Sequence, residues 1–191
     1  ADFTVPIEWT SEIQKSLNGT LNVNVDTYSN NEKIGSSSYS LKLVIPATDS
    51  FKPSFEMLVE RNNNGVPASW NEYVRGISTI TVDLANVTYK YGADYYTTTI
   101  TVGNVTKREI PATFELTQAG QVKITVVVKD NRGLSTVKTA TITVQDYAPP
   151  SINVESFNRC NLVGALDSMG TYVLLKYTAD VSSVNGKNTG Y

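Results

Sequence analysis

The sequence of 191 residues contains no histidine and a single cysteine, Cys160. Without histidine there can be no Ser-His-Asp or Cys-His nucleophile and no histidine-ligated zinc. A lone cysteine forms no internal disulfide and no cysteine cluster, so the fold depends on its apolar core. Charge is also sparse, because 16 Lys+Arg against 18 Asp+Glu give a net charge of −2 with no basic block. This balance argues against a nucleic-acid partner, and the absence of a long apolar run argues against a membrane partner.

What the sequence does contain is alternation with a period of two residues. Leu21, Val23 and Val25 alternate with polar residues, which is typical of a half-buried strand. The same period recurs in five further segments, at 80–84, 99–102, 122–128, 139–144 and 172–177. Residues 9–17 fit either one short helix behind Thr10 or a strand-turn-strand. Many short strands separated by polar turns predict an all-β protein built as an antiparallel sandwich.

An internal repeat gives the organisation of the chain. Pro53-Ser54-Phe55 returns as Pro150-Ser151-Ile152, 97 residues later, and Tyr73-Val74 returns as Tyr172-Val173, 99 residues later. A repeat of about 100 residues matches the size of one immunoglobulin-like sandwich. Pro149-Pro150 removes two backbone donors and fixes two φ angles, so it ends the preceding strand. We therefore predict tandem immunoglobulin-like antiparallel β-sandwich modules joined by short Pro-containing linkers.

The repeat divides the chain into unequal parts. Residues 1–51 are predicted to be the C-terminal part of one module, 52–147 a complete module, and 148–191 the N-terminal part of a further module. A half-module of about 50 residues cannot bury a two-sheet core by itself. The outer parts therefore either complete one another, in the same chain or in a neighbouring one, or are completed by a longer parent protein. Residues 52–147 are expected to fold alone.

Several side chains have both a structural and a functional interpretation. Asp130-Asn131-Arg132-Gly133 is predicted to be a hairpin turn with Asp130 accepting backbone donors, Gly133 at positive φ and Arg132 at the exposed tip. A group of aromatic residues is expected to pack in the core or at junctions, the alternative being a platform for sugar rings. Its members are Trp70, Tyr73, Tyr89, Tyr91, Tyr95, Tyr96 and, as a junction anchor, Tyr147.

No set of residues predicts catalysis. The acids are scattered along the chain with nothing selecting a glycosidase-like pair: Glu56, Glu60, Glu72, Asp83, Asp94, Glu109 and Glu115. Calcium held through Asp130 and Asp146, or through Asp180, lacks the dense oxygen-ligand loop that such a site needs. We therefore predict no enzyme activity, and no catalytic, cofactor-binding or metal residues.

Cys160 is expected to be a small buried hydrophobe, the alternative being a reactive thiol beside Arg159. Three Asn-x-Thr sequences begin at Asn18, Asn86 and Asn104, and would accept glycans in a eukaryotic secreted protein. The alternative is that they are ordinary turn and strand residues, and we take that interpretation.

Several short motifs follow one another along the chain. They are Trp70-x-x-Tyr73-Val74-x-Gly76, Tyr89-x-Tyr91-Gly92, Val128-x-Asp130-x-Arg132-Gly133, Val144-x-Asp146-Tyr147-x-x-Pro150 and Asn185-Gly186-Lys187-Asn188-Thr189. Their order and spacing resemble those of a family of siphophage tail and minor structural proteins, which are virion proteins of phages of Gram-positive bacteria with tandem immunoglobulin-like modules. The resemblance implies an extracellular virion location in the phage tail, other phage tail proteins as partners, and a homo-oligomer as a further expectation. It carries over no catalytic residue.

The function expected from these observations is a non-enzymatic segment of a tail or tail-tip/fibre protein. It would act as a rigid spacer with a role in attachment to a host-surface polysaccharide or protein. The alternative is a bacterial cell-surface adhesin or carbohydrate-binding immunoglobulin-like module. A third hypothesis is a fragment of a polysaccharide-degrading enzyme with accessory modules of this type, which a hydrolysis assay on cell-wall glycans would detect.

Overall fold

The computed structural model of the protein describes residues 4–188. The residues at either end, including Thr189 of the last motif above, lie outside the described part. Within it, no helix combines the length and the apolar character that crossing a membrane requires.

Strands make up nearly all the regular structure of residues 4–188, and the two helices there are short 3₁₀ helices at Ile7–Glu12 and Ala68–Trp70. The strands are β1 (Asn18–Ser29), β2 (Glu32–Val44), β3 (Ser54–Asn62), β4 (Tyr73–Val74), β5 (Thr79–Thr88), β6 (Tyr95–Val102), β7 (Val105–Lys107), β8 (Ala112–Glu115), β9 (Gly120–Asp130), β10 (Ser135–Gln145), β11 (Ser151–Cys160) and β12 (Tyr172–Asp180). The all-β prediction is confirmed, and each segment with a two-residue period lies within a strand.

The strands form four sheets. Two are isolated hairpins, β1-β2 and β11-β12, and the others have the orders β4-β10-β9-β6-β7 and β3-β5-β8. β10 pairs with β4 in parallel, through Val144 opposite Tyr73. The prediction that all strands pair antiparallel is therefore wrong for this pair. β6 pairs antiparallel with both β9 and β7.

Contacts divide the chain into two compact units. Unit 1 comprises Ala1–Glu60, Thr81–Phe114 and Lys123–Thr141, and unit 2 comprises Arg61–Ile80, Glu115–Val122 and Ile142–Tyr191. Each unit is discontinuous in sequence. The predicted modules are instead continuous stretches of sequence, and their boundaries at residues 51 and 147 stay predictions.

The core of unit 1 follows from the alternation of its strands. Ile124 and Val126 on β9 are fully buried, as are Ile100 on β6 and Val82 on β5, while Phe55 on β3 is 3% exposed. Because alternate residues point to opposite faces of a strand, the five-stranded and three-stranded sheets each bury one apolar face in this unit.

A second apolar cluster in unit 1 is formed by residues that lie outside the strands. Ile45, Phe51 and Leu134 are buried together, with Ile13, Leu17 and Tyr91 packed against them. The ring of Phe51 lies 5.2 Å from that of Tyr91, between centroids. The segment before β1 is thus attached to the core of unit 1 by apolar contacts.

Unit 2 has its own cluster. Val66, Val74 and Val184 are buried, and Trp70 and Tyr147 pack against them. The prediction that Trp70 and Tyr147 are packing anchors is confirmed.

Of the two predictions for residues 9–17, one short helix is confirmed in part and a strand-turn-strand is wrong. The helix is a 3₁₀ helix that starts at Ile7, after Pro6, and ends at Glu12, and no strand forms between residues 9 and 17. Thr10 does not cap this helix at its N-terminus, since its hydroxyl donates backwards to the Ile7 carbonyl at 2.6 Å. A 3₁₀ helix of six residues has too few turns to produce a sustained apolar period.

Candidate functional site

The predicted aromatic group is distributed over both units. Trp70 and Tyr73 lie in unit 2, and the four tyrosines from Tyr89 to Tyr96 lie in unit 1. Tyr91 packs in the core as expected. Tyr95 and Tyr96 do not: they are 51% and 64% exposed, so the packing interpretation is wrong for these two. The cause is their place at the start of β6, before its buried alternation begins at Thr98.

Two of the acidic residues considered for catalysis, Glu72 and Glu109, interact with donor side chains of the same unit. Glu72 accepts from Gln145 at 3.0 Å and from Asn185 at 2.8 Å, which ties together three segments of unit 2. Lys107 lies 3.4 Å from Glu109, whose pKa is lowered by a hydrogen bond from its own backbone amide and then by this lysine. These contacts give the two carboxylates structural roles.

Of the three acids considered from the sequence as calcium ligands, Asp130 lies in unit 1, whereas Asp146 and Asp180 lie in unit 2. Asp146 forms an ion pair with Arg75 at 2.9 Å and accepts the Tyr147 amide. Within residues 4–188, no three acidic or cysteine side chains gather in a way that could hold a metal ion.

Cys160 is free and 3% exposed, which confirms the prediction of a small buried hydrophobe. It ends β11 opposite Tyr172. The three Asn-x-Thr sequences begin on β1, on β5 and in the turn between β6 and β7, as expected for strand and turn residues.

The turn between β9 and β10 is built as the sequence predicts. The Asp130 Oδ1 atom accepts the amides of Arg132 at 3.0 Å and Leu134 at 2.8 Å, and Gly133 has a φ of 95°. This Asx-type capping is why Asp precedes the turn and Gly ends it.

The prediction that Arg132 is an exposed tip residue is wrong. Arg132 is only 5% exposed. Its Nε atom donates to the Ile13 carbonyl at 2.7 Å, and its Nη2 atom donates to the Thr10 carbonyl at 2.8 Å. Further bonds go to the carbonyls of Lys90, at 3.2 Å, and Tyr91. The guanidinium therefore joins the 3₁₀ segment, the β5–β6 loop and the β9–β10 turn.

The electrostatics of this node are those of a buried cation. Burial lowers the pKa of Arg132, and the nearby Asp130 carboxylate acts in the opposite direction. A guanidinium with four carbonyl acceptors has little donor capacity left for a ligand. The arrangement can hold chain segments together, and nothing in it activates a nucleophile.

The most exposed apolar surface of unit 1 is one face of the β1-β2 hairpin. Directly opposed residues of an antiparallel pair share a face, and the register places Leu21 opposite Leu41 and Val23 opposite Tyr39. Face 1 is defined as Leu21, Val23, Val25, Tyr39, Leu41 and Leu43. Val25 is 61% exposed and Tyr39 is 69% exposed, so the half-buried prediction for β1 is wrong beyond Leu21.

The other face of the same hairpin is polar. Ser40 donates to Asn22 at 2.6 Å, and Ser36 donates to Asp26 at 2.6 Å. The Lys33 ammonium lies 2.8 Å from Asp26. Hydrogen bonds from Lys33 and, to a lesser extent, from Ser36 lower the pKa of the Asp26 carboxyl. The hairpin is therefore amphipathic, with its solvated face already satisfied.

The β11-β12 hairpin in unit 2 has the same character. Phe157 lies opposite Leu175 and Val154 opposite Tyr177, with a register shift between Val154 and Ser156. Face 2 is defined as Ile152, Val154, Phe157, Val173, Leu175 and Tyr177. Ile152 and Phe157 are each 70% exposed. Face 2 is thus a second uncovered apolar surface.

A concave site is also present in unit 2. Trp70, Tyr147, Val184 and their neighbours line a pocket of about 180 Å³. Pockets for small molecules usually measure about 300–1,000 Å³, so this one is small for a ligand. Two larger depressions, of about 450 Å³ beside Pro149 and about 440 Å³ beside Pro111, are open to solvent and do not enclose a ligand. The two hairpin faces are the stronger candidates for a functional surface.

These features define an all-β protein in which two described hairpins each expose an apolar face. The chain belongs to the family described as "Siphovirus protein of unknown function (DUF859)", whose model matches residues 1–164. This confirms the expected resemblance to siphophage proteins and fits a component of the virion. No curated protein and no solved structure matches the chain.

Proposed function

We propose that the chain is a non-enzymatic structural segment of a phage tail or tail-tip protein, in which immunoglobulin-like sandwiches act as rigid spacers towards the host surface. The observation that carries this proposal is the strand order. If β3, β5 and β8 are labelled A, B and E, then β10, β9, β6 and β7 take the labels G, F, C and C′. The two orders, A-B-E and G-F-C-C′, are those of the immunoglobulin sandwich, with β4 as an added edge strand.

Rigidity is supported by how the linker after β10 is held within unit 2. Arg75 donates to the Tyr147 carbonyl at 3.0 Å and pairs with Asp146 at 2.9 Å. The Ser182 hydroxyl accepts the Ala148 amide at 2.8 Å and donates to the Ala148 carbonyl at 3.0 Å. Pro149 and Pro150 then fix two φ angles before β11. A linker fixed at both its side chains and its backbone transmits force and orientation.

The test of location is gold labelling of purified virions with Fab fragments raised against residues 1–191. We expect label along the tail or at its tip. Absence of the protein from purified virions, or label confined to the capsid, would contradict the proposal. Incubating the purified chain with host cell-wall glycans should release no sugar, and turnover that survives purification would show an enzyme.

A carbohydrate-binding module, or adhesin, is the second candidate. The specific observation favouring it is the pair of exposed rings, Tyr95 and Tyr96, at one end of β6. Sugar faces stack on exposed rings, although the Lys129 ammonium lies 5.7 Å from the centroid of the Tyr96 ring. Host-wall polysaccharide binding that is lost in Tyr95→Ala, but kept in the control Tyr28→Ala, whose ring is also exposed, would favour this candidate over a pure spacer.

A further inference from the structure

Strand β3 of the complete module contains counterparts of the exposed residues on β11, of which Phe55 is buried and Met57 and Val59 are half-buried. Phe55 and Met57 on β3 correspond to Ile152 and Val154, each 97 residues later. Phe55 is 3% exposed, whereas Ile152 is 70% exposed. After the bulge at Glu155 the spacing becomes 98, as the one inserted residue requires, and Val59 corresponds to Phe157. Strand β11 thus repeats β3 without the cover that β3 has.

The same relation holds between β1 and β9. Val23 and Val25 correspond to Ile124 and Val126, each 101 residues later. The two residues on β9 are fully buried, while Val23 is 40% and Val25 is 61% exposed. Since β3 belongs to one sheet of the complete module and β9 to the other, strands β11 and β1 correspond to strands of opposite sheets.

We propose that face 1 of one copy of this chain is covered by face 2 of a second copy, so that the two hairpins close a sandwich of the type formed by residues 52–147. The occupant of each face is thereby a second copy of the chain. This rests on the immunoglobulin-like architecture proposed above, but it does not depend on location in the tail.

The two faces match in chemistry. Both consist of six large apolar residues: all six of face 2 and four of face 1 are exposed, while Leu21 and Leu43 are half-buried. Face 1 includes no charged residue, and the one charged residue in the row of side chains that contains face 2 is Arg159. Like charges would therefore not be opposed. A two-stranded hairpin alone is marginally stable in water, so each hairpin would gain from being covered.

The two faces also match in size. Strands of 12 and 13 residues in one hairpin and of 10 and 9 in the other span about 40 Å and about 30 Å at ~3.4 Å per residue. The three rings of the two faces, at ~150–250 Å² each, and their nine aliphatic residues would together bury on the order of 1,000 Å². That lies just below the ~1,200 Å² of a stable interface, so we expect association that is weak and depends on concentration.

The proposed contact joins two different surfaces. Each copy offers one face of each kind, so association is head to tail and continues into chains or closes into a ring. A two-fold dimer, in which each face meets itself, would behave differently. This difference makes the proposal testable with single substitutions.

Sedimentation velocity of residues 1–191, from about 1 to 300 µM, is the experiment. We expect species larger than a dimer at high concentration. Tyr39→Lys on face 1 and Phe157→Lys on face 2 should each weaken association at least ~30-fold. Both residues are mostly exposed, so neither change should unfold the chain, which circular dichroism would check. Ser38→Lys, on the polar face beside Tyr39, is the matched control and should associate like the original chain.

Mixing the two variants gives the decisive result. Tyr39→Lys retains face 2 and Phe157→Lys retains face 1, so an equimolar mixture should form a 1:1 complex that grows no further. A chain that stays monomeric at all concentrations would overturn the proposal. Association that Tyr39→Lys or Phe157→Lys leaves unchanged would do the same, because it would show faces pairing with themselves or another surface. Virion labelling is independent of all these outcomes.

Discussion

Removing the Arg132 guanidinium should release the segment that precedes β1. In Arg132→Met the carbonyls of Thr10 and Ile13 lose donors at 2.8 and 2.7 Å, and that of Lys90 loses one at 3.2 Å. A hydrogen bond to a charged group contributes about 1.5–3 kcal/mol. Two effects offset part of this loss of stability. Water can hydrogen-bond to the freed carbonyls, and the variant no longer bears the free-energy cost of burying a cation. We expect a net destabilisation of about 3 kcal/mol.

Two readouts separate this local effect from a general one. Urea denaturation followed by tryptophan fluorescence reports the free energy of unfolding, and amide exchange by mass spectrometry reports residues 4–17 directly. Arg132→Lys keeps the charge but not the planar fork, so it should lie between Arg132→Met and the original chain. Arg108, which is exposed, supplies the matched control, Arg108→Met, with an expected change within about 0.5 kcal/mol. Equal stability and equal exchange of Arg132→Met and Arg108→Met would refute the reasoning.

Two further predictions concern the hairpins. The lowered pKa of Asp26 means that its ionised form stabilises β1-β2 above the ordinary value of 3.8, and that this contribution is lost as pH falls through the lowered pKa. The protection of the hairpin amides, measured against the exchange of the unstructured chain at the same pH, should thus fall in acid, and Asp26→Asn should flatten this dependence; an identical profile would contradict it. In Gly170→Ala the new Cβ would clash with the Cys160 carbonyl oxygen, so we expect a loss of about 2 kcal/mol, whereas Gly35→Ala meets nothing within 4 Å and should be neutral. Equal thermal midpoints for the two alanine variants would show that β11-β12 tolerates the clash.

The strands and the β9–β10 turn could be predicted from the sequence because their causes are local. Alternation decides which residues share a face, and the Asp130 and Gly133 chemistry needs only neighbouring amides and one positive φ. The end of β10 was also predictable within one residue, because Pro149-Pro150 cannot continue a ladder. Such features depend on residues a few positions apart.

The surroundings of Arg132 and the exposure of the hairpins depend on distant residues. Nothing between Asp130 and Gly133 indicates that the carbonyl of Thr10, 122 residues away, lies beside the turn. Likewise the pattern of Val23 and Val25 resembles that of Ile124 and Val126, yet only the second pair is covered. Alternation shows which face is apolar, but the cover comes from elsewhere in the molecule or the assembly. The one signal available was length, since about 50 residues are too few to close a sandwich.

The contacts of unit 1 bear on where an independently folding fragment should begin. Residues 52–147 were expected to fold alone, and that stays a prediction. Such a fragment would lack Ile45 and Phe51, which bury Leu134, as well as the Thr10 and Ile13 acceptors of Arg132. A fragment of residues 1–147 keeps all of these. We therefore expect 1–147 to have a higher midpoint of urea denaturation than 52–147, by several kcal/mol in the free energy of unfolding. Equal midpoints would mean that the segment before residue 52 rests on a module already complete without it.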